Sequence, residues 1–122
     1  MILDSNIIIY AVQPEYDFLN DFILENEVVV SAISYLEVLG FHRLDPVEKV
    51  KLESFFSGIA ILPLEQKVIQ RAVGLRQERK MSLGDALIAA SALESGHILV
   101  TRNIKDFELI EGLALLNPFE TV

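Results

Sequence analysis

The chain has 122 residues, ten Lys and Arg against eighteen Asp and Glu, a formal net charge of −8 and no Cys. The lack of Cys excludes a disulfide scaffold, a thiol nucleophile and a zinc site with Cys ligands, and two isolated His, His42 and His97, do not suit a His-rich metal site. The length indicates a single domain, residues 1–122, with a core large enough to fold without disulfides.

Five short apolar runs predict β-strands that are covered on both faces of a sheet. These runs are Met1–Leu3, Val28–Val30, Ile59–Leu62, Ile98–Val100 and Ala114–Leu116. Segments with helical spacing separate them. Strands that alternate with helices in so short a chain predict an α/β fold, a three-layer α/β/α sandwich around a mainly parallel five-stranded sheet.

The helix signals between these runs are local. Phe18–Ile23 places apolar residues at helical spacing. Asp45, which is followed by Pro, marks a helix start with Asp as the N-cap. Ala86–Leu93 is almost entirely apolar and predicts a buried central helix. Gly58 and Gly96 are placed to end helices as C-caps.

The charge is segregated along the chain, with acids crowded between residues 15 and 27 and bases between residues 67 and 80. An acidic chain argues against a nucleic-acid partner, unless several of its carboxylates share a metal site. The longest uncharged apolar stretch, Ala86–Leu93, is far shorter than the roughly 20 residues of a membrane-spanning helix. No basic segment followed by an apolar stretch opens the chain as a secretory signal would, so we expect a soluble, cytoplasmic protein without membrane contact.

Asp4 follows the first predicted strand, so its carboxylate is expected at the carboxyl edge of the sheet, where parallel α/β sheets place their functional sites. Ser5 and Asn6 add polar side chains at the same point. A structural interpretation is also open, because all three residues are good N-caps for a helix over Ile7–Val12.

Two further acids lie on predicted helices. Glu37 shares a helical stripe with Ile33, and a carboxylate on a buried apolar face is costly unless it is paired or binds a metal. Asp85 begins the apolar helix. The structural alternative for both acids is a capping box, which would join Ser34 to Glu37 and Ser82 to Asp85.

Asp106 lies after the fourth predicted strand, close to Thr101 and Asn103, whose oxygens fall at the same sheet edge. Its structural alternative is a solvated loop acid. All four acids thus fall near one edge, where clustered carboxylates repel one another unless divalent cations offset their charge. Oxygen ligands without Cys or paired His select Mg²⁺ or Mn²⁺, the metals of phosphodiester hydrolysis.

Four passages together resemble the PIN-domain ribonucleases, and in particular the small VapC-like toxins of type II toxin–antitoxin pairs. They are Leu3–Tyr10, Ser31–Glu37, Leu83–Ala92 and Leu99–Phe107. They span nearly the whole chain in the right order, and the ending Leu116–Phe119 is also similar to the family. The resemblance implies a PIN-like fold and a Mg²⁺- or Mn²⁺-dependent endoribonuclease. In-line attack by water would leave a 5′-phosphate and a 3′-hydroxyl.

By the same resemblance, the four acids form the catalytic site. Asp4 and Asp85 are its principal metal ligands, while Glu37 and Asp106 complete the pocket directly or through water, and either of these two can act as general base. Family members differ as to whether the last acid stands at the position of Asn103 or of Asp106, and we expect Asp106 because only it is charged. The supporting polar residues are Ser5 (where Thr is commoner), Asn6, Thr101 and Asn103.

We expect three partners. These are an RNA substrate, a second copy of the chain, and an antitoxin whose C-terminal tail places a basic side chain in the acidic pocket. The high apolar fraction predicts that a partner covers some apolar surface, with Phe18–Ile23 and Phe55–Phe56 as candidate contacts in a homodimer. The candidate contacts to RNA phosphates are Arg71, Arg76, Arg79, Lys80, Arg102 and Lys105. A solvated helix face is the alternative for the basic helix.

Two other classes of protein fit parts of the pattern. A receiver domain has similar length, acidity and a Mg²⁺ carboxylate site, but it needs an Asp after the third strand and a Lys after the fifth. This chain has Glu65 and Asn117 in those regions. A non-catalytic PIN-like module that only binds protein is the other alternative, and four intact acids argue against it.

Overall fold

The computed structural model describes residues 1–120 and gives them five β-strands, six α-helices and two 3-10 helices. The strands are β1 (Ile2–Leu3), β2 (Val29–Ser31), β3 (Ala60–Leu62), β4 (Leu99–Val100) and β5 (Leu115–Leu116). The α-helices are α1 (Ser5–Ala11), α2 (Asp17–Glu25), α3 (Ala32–Leu39), α4 (Pro46–Ser57), α5 (Gln66–Glu78) and α6 (Leu83–Ser95). The 3-10 helices are Pro14–Tyr16 and Ile104–Asp106. All five predicted strands are confirmed to within one residue at each end.

The sheet has the strand order β3-β2-β1-β4-β5, and all of its neighbouring strands are parallel. The chain builds β2 and β3 on one side of β1 and then crosses to build β4 and β5 on the other. Such a reversal places a crevice outside the carboxyl ends of the strands. The α/β prediction is confirmed, with a sheet that is parallel throughout. The order also differs from the 2-1-3-4-5 order of flavodoxin-like receiver domains, which excludes that alternative.

Helices cover both faces of the sheet, because successive residues of a strand point to opposite faces. Ile2 packs into one core cluster with α5 and α6, and Leu3 packs into a second cluster with α1 and α4. Both side chains are 0% exposed. The predicted three-layer sandwich is therefore confirmed, with β1 at its centre.

The prediction that every strand is covered on both faces is wrong for β3. Its successive residues Ala60 and Ile61, whose side chains point to opposite faces, are both exposed, Ile61 by 40%. The candidate apolar contact at Phe55–Phe56 is wrong for Phe56, which is 4% exposed and belongs to the core, whereas Phe55 is half-buried. In the other candidate contact, Phe18 is 44% exposed while Leu19 beside it is buried.

Local signals set the ends of the helices. Oδ2 of Asp45 accepts hydrogen bonds from the backbone N–H groups of Val47 and Glu48, so the predicted N-cap of α4 is confirmed. Gly96 ends α6 with a φ of 70°, a left-handed conformation that glycine adopts without strain. The buried run Ala86–Ala92 confirms that α6 is central. Within residues 1–120, no helix combines the length and apolar character needed to cross a lipid bilayer.

Candidate active site

Asp4 is a buried acid at the carboxyl end of the central strand. It occupies the N-cap position of α1, but its side chain makes no capping hydrogen bond. Its Oδ2 instead accepts a hydrogen bond of 2.9 Å from the hydroxyl of Thr101, which follows β4 and is 0% exposed. The side chain of Asp4 is thus held by the neighbouring strand at 5% exposure, and the interpretation of this side chain as a helix cap is wrong.

The charge of Asp4 is unfavourable in this position. The pKa of Asp4 is raised from 3.8 to about 6, chiefly by burial and to a smaller extent by the nearby charges of Asp85 and Glu37. Hydrogen bonds from Thr101 and from the backbone N–H of Ser5 act in the opposite direction but do not compensate. A carboxylate kept at such a cost is typical of a functional site.

Glu37 reaches the same region from α3. Ser5 donates a hydrogen bond of 2.9 Å to its Oε1 and lies 3.0 Å from the hydroxyl of Ser34. The prediction that Glu37 lies on a buried apolar face is wrong, because its side chain is exposed while Ile33 is buried. The capping-box alternative is wrong as well, since α3 begins one turn earlier with Ser31 as its N-cap.

Asp85 stands on the first turn of α6, where its backbone N–H donates a hydrogen bond of 3.1 Å to Ser82 Oγ. The capping bond predicted there is confirmed, and it involves the backbone N–H of Asp85. Burial raises the pKa of Asp85, followed by the charge of Asp106 and, more weakly, that of Glu37, while a hydrogen bond from Ser82 lowers it. Asp85 therefore lies within electrostatic range of all three other candidate acids.

Gly84 accounts for the close approach of α3 and α6. A Cβ atom built on Gly84 would overlap Oε2 of Glu37 and lie 3.2 Å from its Oε1. The absence of a side chain therefore creates the space that the Glu37 carboxylate fills. This contact brings the acid of α3 next to the first turn of α6.

Asp106 is exposed at the end of the 3-10 helix Ile104–Asp106, and its charge contributes to the raised pKa of Asp85. Asn103 is also exposed, and its backbone N–H donates a hydrogen bond of 3.0 Å to Thr101 Oγ1. The hydroxyl of Thr101 thus joins Asp4 to the loop that carries Asp106. Asn6 is exposed on α1.

The chemistry of these carboxylates fits a hard cation. In the part of the chain that the structure describes, the ion pairs join Arg71 to Glu94 and Arg79 to Glu78, so no basic side chain pairs with the four acids. As placed within residues 1–120, no three acidic or His side chains converge closely enough to hold a metal ion among them. The arrangement fits a divalent cation that retains several waters and is bound by one or two carboxylates.

The six candidate basic residues divide into two groups. Arg71 pairs with Glu94 near the far end of α6, away from Asp85. Arg76 lies in the last turn of α5, whereas Arg79 and Lys80 follow the end of this helix at Glu78. In contrast, Arg102 and Lys105 share a surface depression with Asp106.

Sequence reasoning missed the rings that hold Arg102. Its guanidinium lies over the rings of Phe119 and Tyr10. Neither ring is close to Arg102 in sequence, so no spacing signal could have found this contact.

Comparison with known proteins identifies the fold family. Residues 1–113 match the family described as PIN domain. The chain belongs to the PIN-domain family. Ribonuclease VapC2 of Rickettsia felis is 32% identical over 127 aligned residues, which cover 94% of this chain and 95% of that relative. The resemblance stated from the sequence motifs is thereby confirmed.

Two solved structures show how this PIN domain compares in three dimensions. VapBC2 of Rickettsia felis, bound to a DNA fragment from its promoter, is 27% identical with a TM-score of 0.84, and the match covers 95% of this chain and 96% of that one. A toxin–antitoxin complex of Klebsiella pneumoniae is 29% identical with a TM-score of 0.79, and the match covers 98% of each chain. The predicted PIN-like architecture is confirmed.

Proposed function

We propose that this PIN domain is a Mg²⁺- or Mn²⁺-dependent endoribonuclease and the toxin of a toxin–antitoxin pair. The observation that carries the proposal is the buried carboxylate of Asp4, which Thr101 holds by a hydrogen bond and whose pKa the charges of Asp85 and Glu37 help to raise. Its position at the switch point of the parallel sheet is where such folds bind ligands. The ribonuclease named among its relatives supports the choice of RNA as substrate.

The four acids form two pairs with different tasks in the proposed reaction. Asp4 and Asp85 hold the cation, whose chemistry when bound is Lewis-acid assistance to phosphodiester hydrolysis. Asp4 is rigid because Thr101 fixes its Oδ2. Glu37 and Asp106 are exposed, so either can accept a proton from the attacking water as general base. Between Asn103 and Asp106 we assign the last acid to Asp106, since its charge acts on Asp85.

We also propose that the chain acts in the cytoplasm as one domain, that two copies form a homodimer, and that a cognate antitoxin binds it. The solved relatives include toxin–antitoxin complexes, which supports an antitoxin partner. The uncompensated acids suit a basic side chain from the C-terminal tail of that partner. Exposed apolar side chains such as Phe18 and Ile61 support a covered surface between two copies.

A non-catalytic PIN module remains the second candidate, and one observation favours it. Within residues 1–120, no group of three acidic or His side chains is close enough together to hold a metal ion. In that case the chain would bind protein without cutting RNA. The two candidates differ in metal-dependent cleavage, which is directly measurable.

The test measures cleavage of RNA by the wild-type chain with Mg²⁺, with Mn²⁺ and with EDTA. We expect cleavage with either metal, none with EDTA and none by Asp4→Asn, which removes an anionic ligand at almost constant volume. The matched control is Asp21→Asn, the same substitution at an exposed position of α2, which should cleave like the wild type. Full activity of Asp4→Asn would refute the site, and a wild-type chain without activity in either metal would favour the non-catalytic module.

A further inference from the structure

Arg102 has an uncommon environment for a cation in so acidic a chain. Its guanidinium carbon lies 4.1 Å from the centroid of the Phe119 ring and 5.4 Å from that of Tyr10. Within residues 1–120 it forms no ion pair with a carboxylate. A guanidinium that lies on an aromatic face is held by the quadrupole of the ring, while the N–H groups in its plane stay available for hydrogen bonds.

The Phe119 ring is itself fixed by three other rings. Its centroid lies 5.3 Å from that of Tyr10, 5.6 Å from that of Tyr16 and 5.2 Å from that of Phe18, all edge to face. The backbone N–H of Phe119 donates a hydrogen bond of 2.9 Å to Asn117 Oδ1. A ring held on several sides imposes a defined orientation on the guanidinium that lies over it.

This guanidinium borders the acidic site. Arg102 directly follows Thr101, the residue that holds Asp4, and shares a surface depression with Lys105 and Asp106. Two of the eight residues that line this depression are basic and three are acidic. The net charge of this depression therefore does not attract a phosphate. A phosphate bound there must be held by short, directed hydrogen bonds.

We propose that Arg102 binds and orients the RNA backbone beside the acids, through a guanidinium whose orientation the Phe119 ring sets. The inference rests on the proposed ribonuclease function and adds the residue that positions its substrate. The planar fork of Arg matches two phosphate oxygens at once. Lys carries the same charge on a flexible stem and cannot reproduce this geometry. Orientation, rather than charge, is the property that Arg102 contributes.

The experiment measures binding of a fluorescein-labelled RNA of randomised sequence by fluorescence anisotropy, with every variant made in the inactive Asp4→Asn background. Arg102→Lys should weaken binding roughly tenfold or more, about as much as Arg102→Gln. Phe119→Leu, which leaves the cation in place, should weaken it by a similar factor. The double variant Arg102→Lys/Phe119→Leu should bind RNA no more weakly than either single variant, because the two side chains act as one unit.

Lys105→Gln is the matched control, since it removes a cation from the same depression that lies over no ring of the described residues. It should weaken binding by less than roughly threefold and lower the salt dependence of the affinity. Arg102→Lys is expected to fold, because Arg102 is exposed, and its melting temperature verifies this. The comparison of Arg102→Lys with Arg102→Gln separates the effect of geometry from that of charge, even if Phe119→Leu proves unstable.

The outcomes are distinct. Binding by Arg102→Lys equal to that of its Asp4→Asn parent, with only Arg102→Gln impaired, would show that charge suffices and overturn the inference. Normal binding by a folded Phe119→Leu would overturn it too, as would the absence of any RNA binding. A wild-type chain that fails to cut RNA but binds it with the expected dependence on Arg102 would refute the proposed function and support the inference. Cleavage of RNA by the wild-type chain, together with RNA binding that Arg102→Lys leaves unchanged, would support the proposed function and refute the inference.

Discussion

Replacing Asp4 with Asn tests the electrostatic cost of a carboxylate buried among other acids. Burial raises the pKa of Asp4 from 3.8 to about 6 in the folded chain, so the folded state binds this proton more tightly than the unfolded state. A pKa difference of one corresponds to about 1.4 kcal/mol. The ionised carboxylate therefore lowers the free energy of unfolding of the metal-free chain by about 3 kcal/mol.

The sign of this effect depends on pH. Below 3.8 Asp4 is protonated in both states and its shifted pKa costs nothing, whereas stability falls as the pH rises from 3.8 through about 6. Asn is neutral at every pH, and its amide oxygen still accepts the hydrogen bond from Thr101. Metal-free Asp4→Asn should therefore be about 3 kcal/mol more stable than the wild type at neutral pH and equally stable below 3.8.

The assay is urea unfolding followed by circular dichroism, in EDTA, at neutral pH and at an acidic pH below 3.8. Asp21→Asn serves as control, because it makes the same change at an exposed position and should show no pH-dependent gain. A variant at Asp4 that is less stable than the wild type at neutral pH would contradict the reasoning. So would a gain of the same size at both pH values, since ionisation of Asp4 could not then be its cause.

Three further substitutions and one addition test other contacts of the site. Gly84→Ala should displace the Glu37 carboxylate and reduce cleavage at least roughly tenfold without lowering the melting temperature; unchanged cleavage would mean that this position of Glu37 is not needed. Thr101→Val removes a donor to Asp4 and should cost about 1–3 kcal/mol in urea titrations, largely restored in Thr101→Ser; equal losses would assign the effect to packing. Glu37→Gln should change stability by less than about 0.5 kcal/mol yet slow cleavage, and a large loss of stability would make Glu37 a structural residue. Mg²⁺ or Mn²⁺ should raise the melting temperature of the wild type far more than that of Asp4→Asn, and equal shifts would place the cation elsewhere.

The strands were predictable from sequence because burial on a parallel sheet leaves a local signature. The apolar run before Asp4 and the run before Thr101 each mark a strand whose end carries a polar residue. Since parallel strands end at one edge, the proximity of these two residues followed from topology. The covering of β3 was not predictable in this way, because an apolar run does not show whether its strand lies at an edge.

The environment of Glu37 was misjudged for a related reason. Its helical stripe with Ile33 correctly identified α3, but a stripe is wider than the face it buries, and Glu37 lies where that face meets the crevice. The partners of Arg102 were beyond reach of sequence reasoning, because Phe119 and Tyr10 come from opposite ends of the chain. Contacts between distant segments depend on packing that no local pattern encodes.

The hydrogen bond between Thr101 and Asp4 joins residues 97 positions apart, which bears on when the site can form during synthesis. The central strand β1 is synthesised before its two neighbours, and one of these, β4, is synthesised only after β2, β3 and the helices α1–α6. Until then Asp4 has neither its hydroxyl donor nor the acid of the following loop. A nascent or truncated chain that ends before residue 106 therefore lacks the assembled site, and the order of translation itself delays the onset of any activity until the fold is nearly complete.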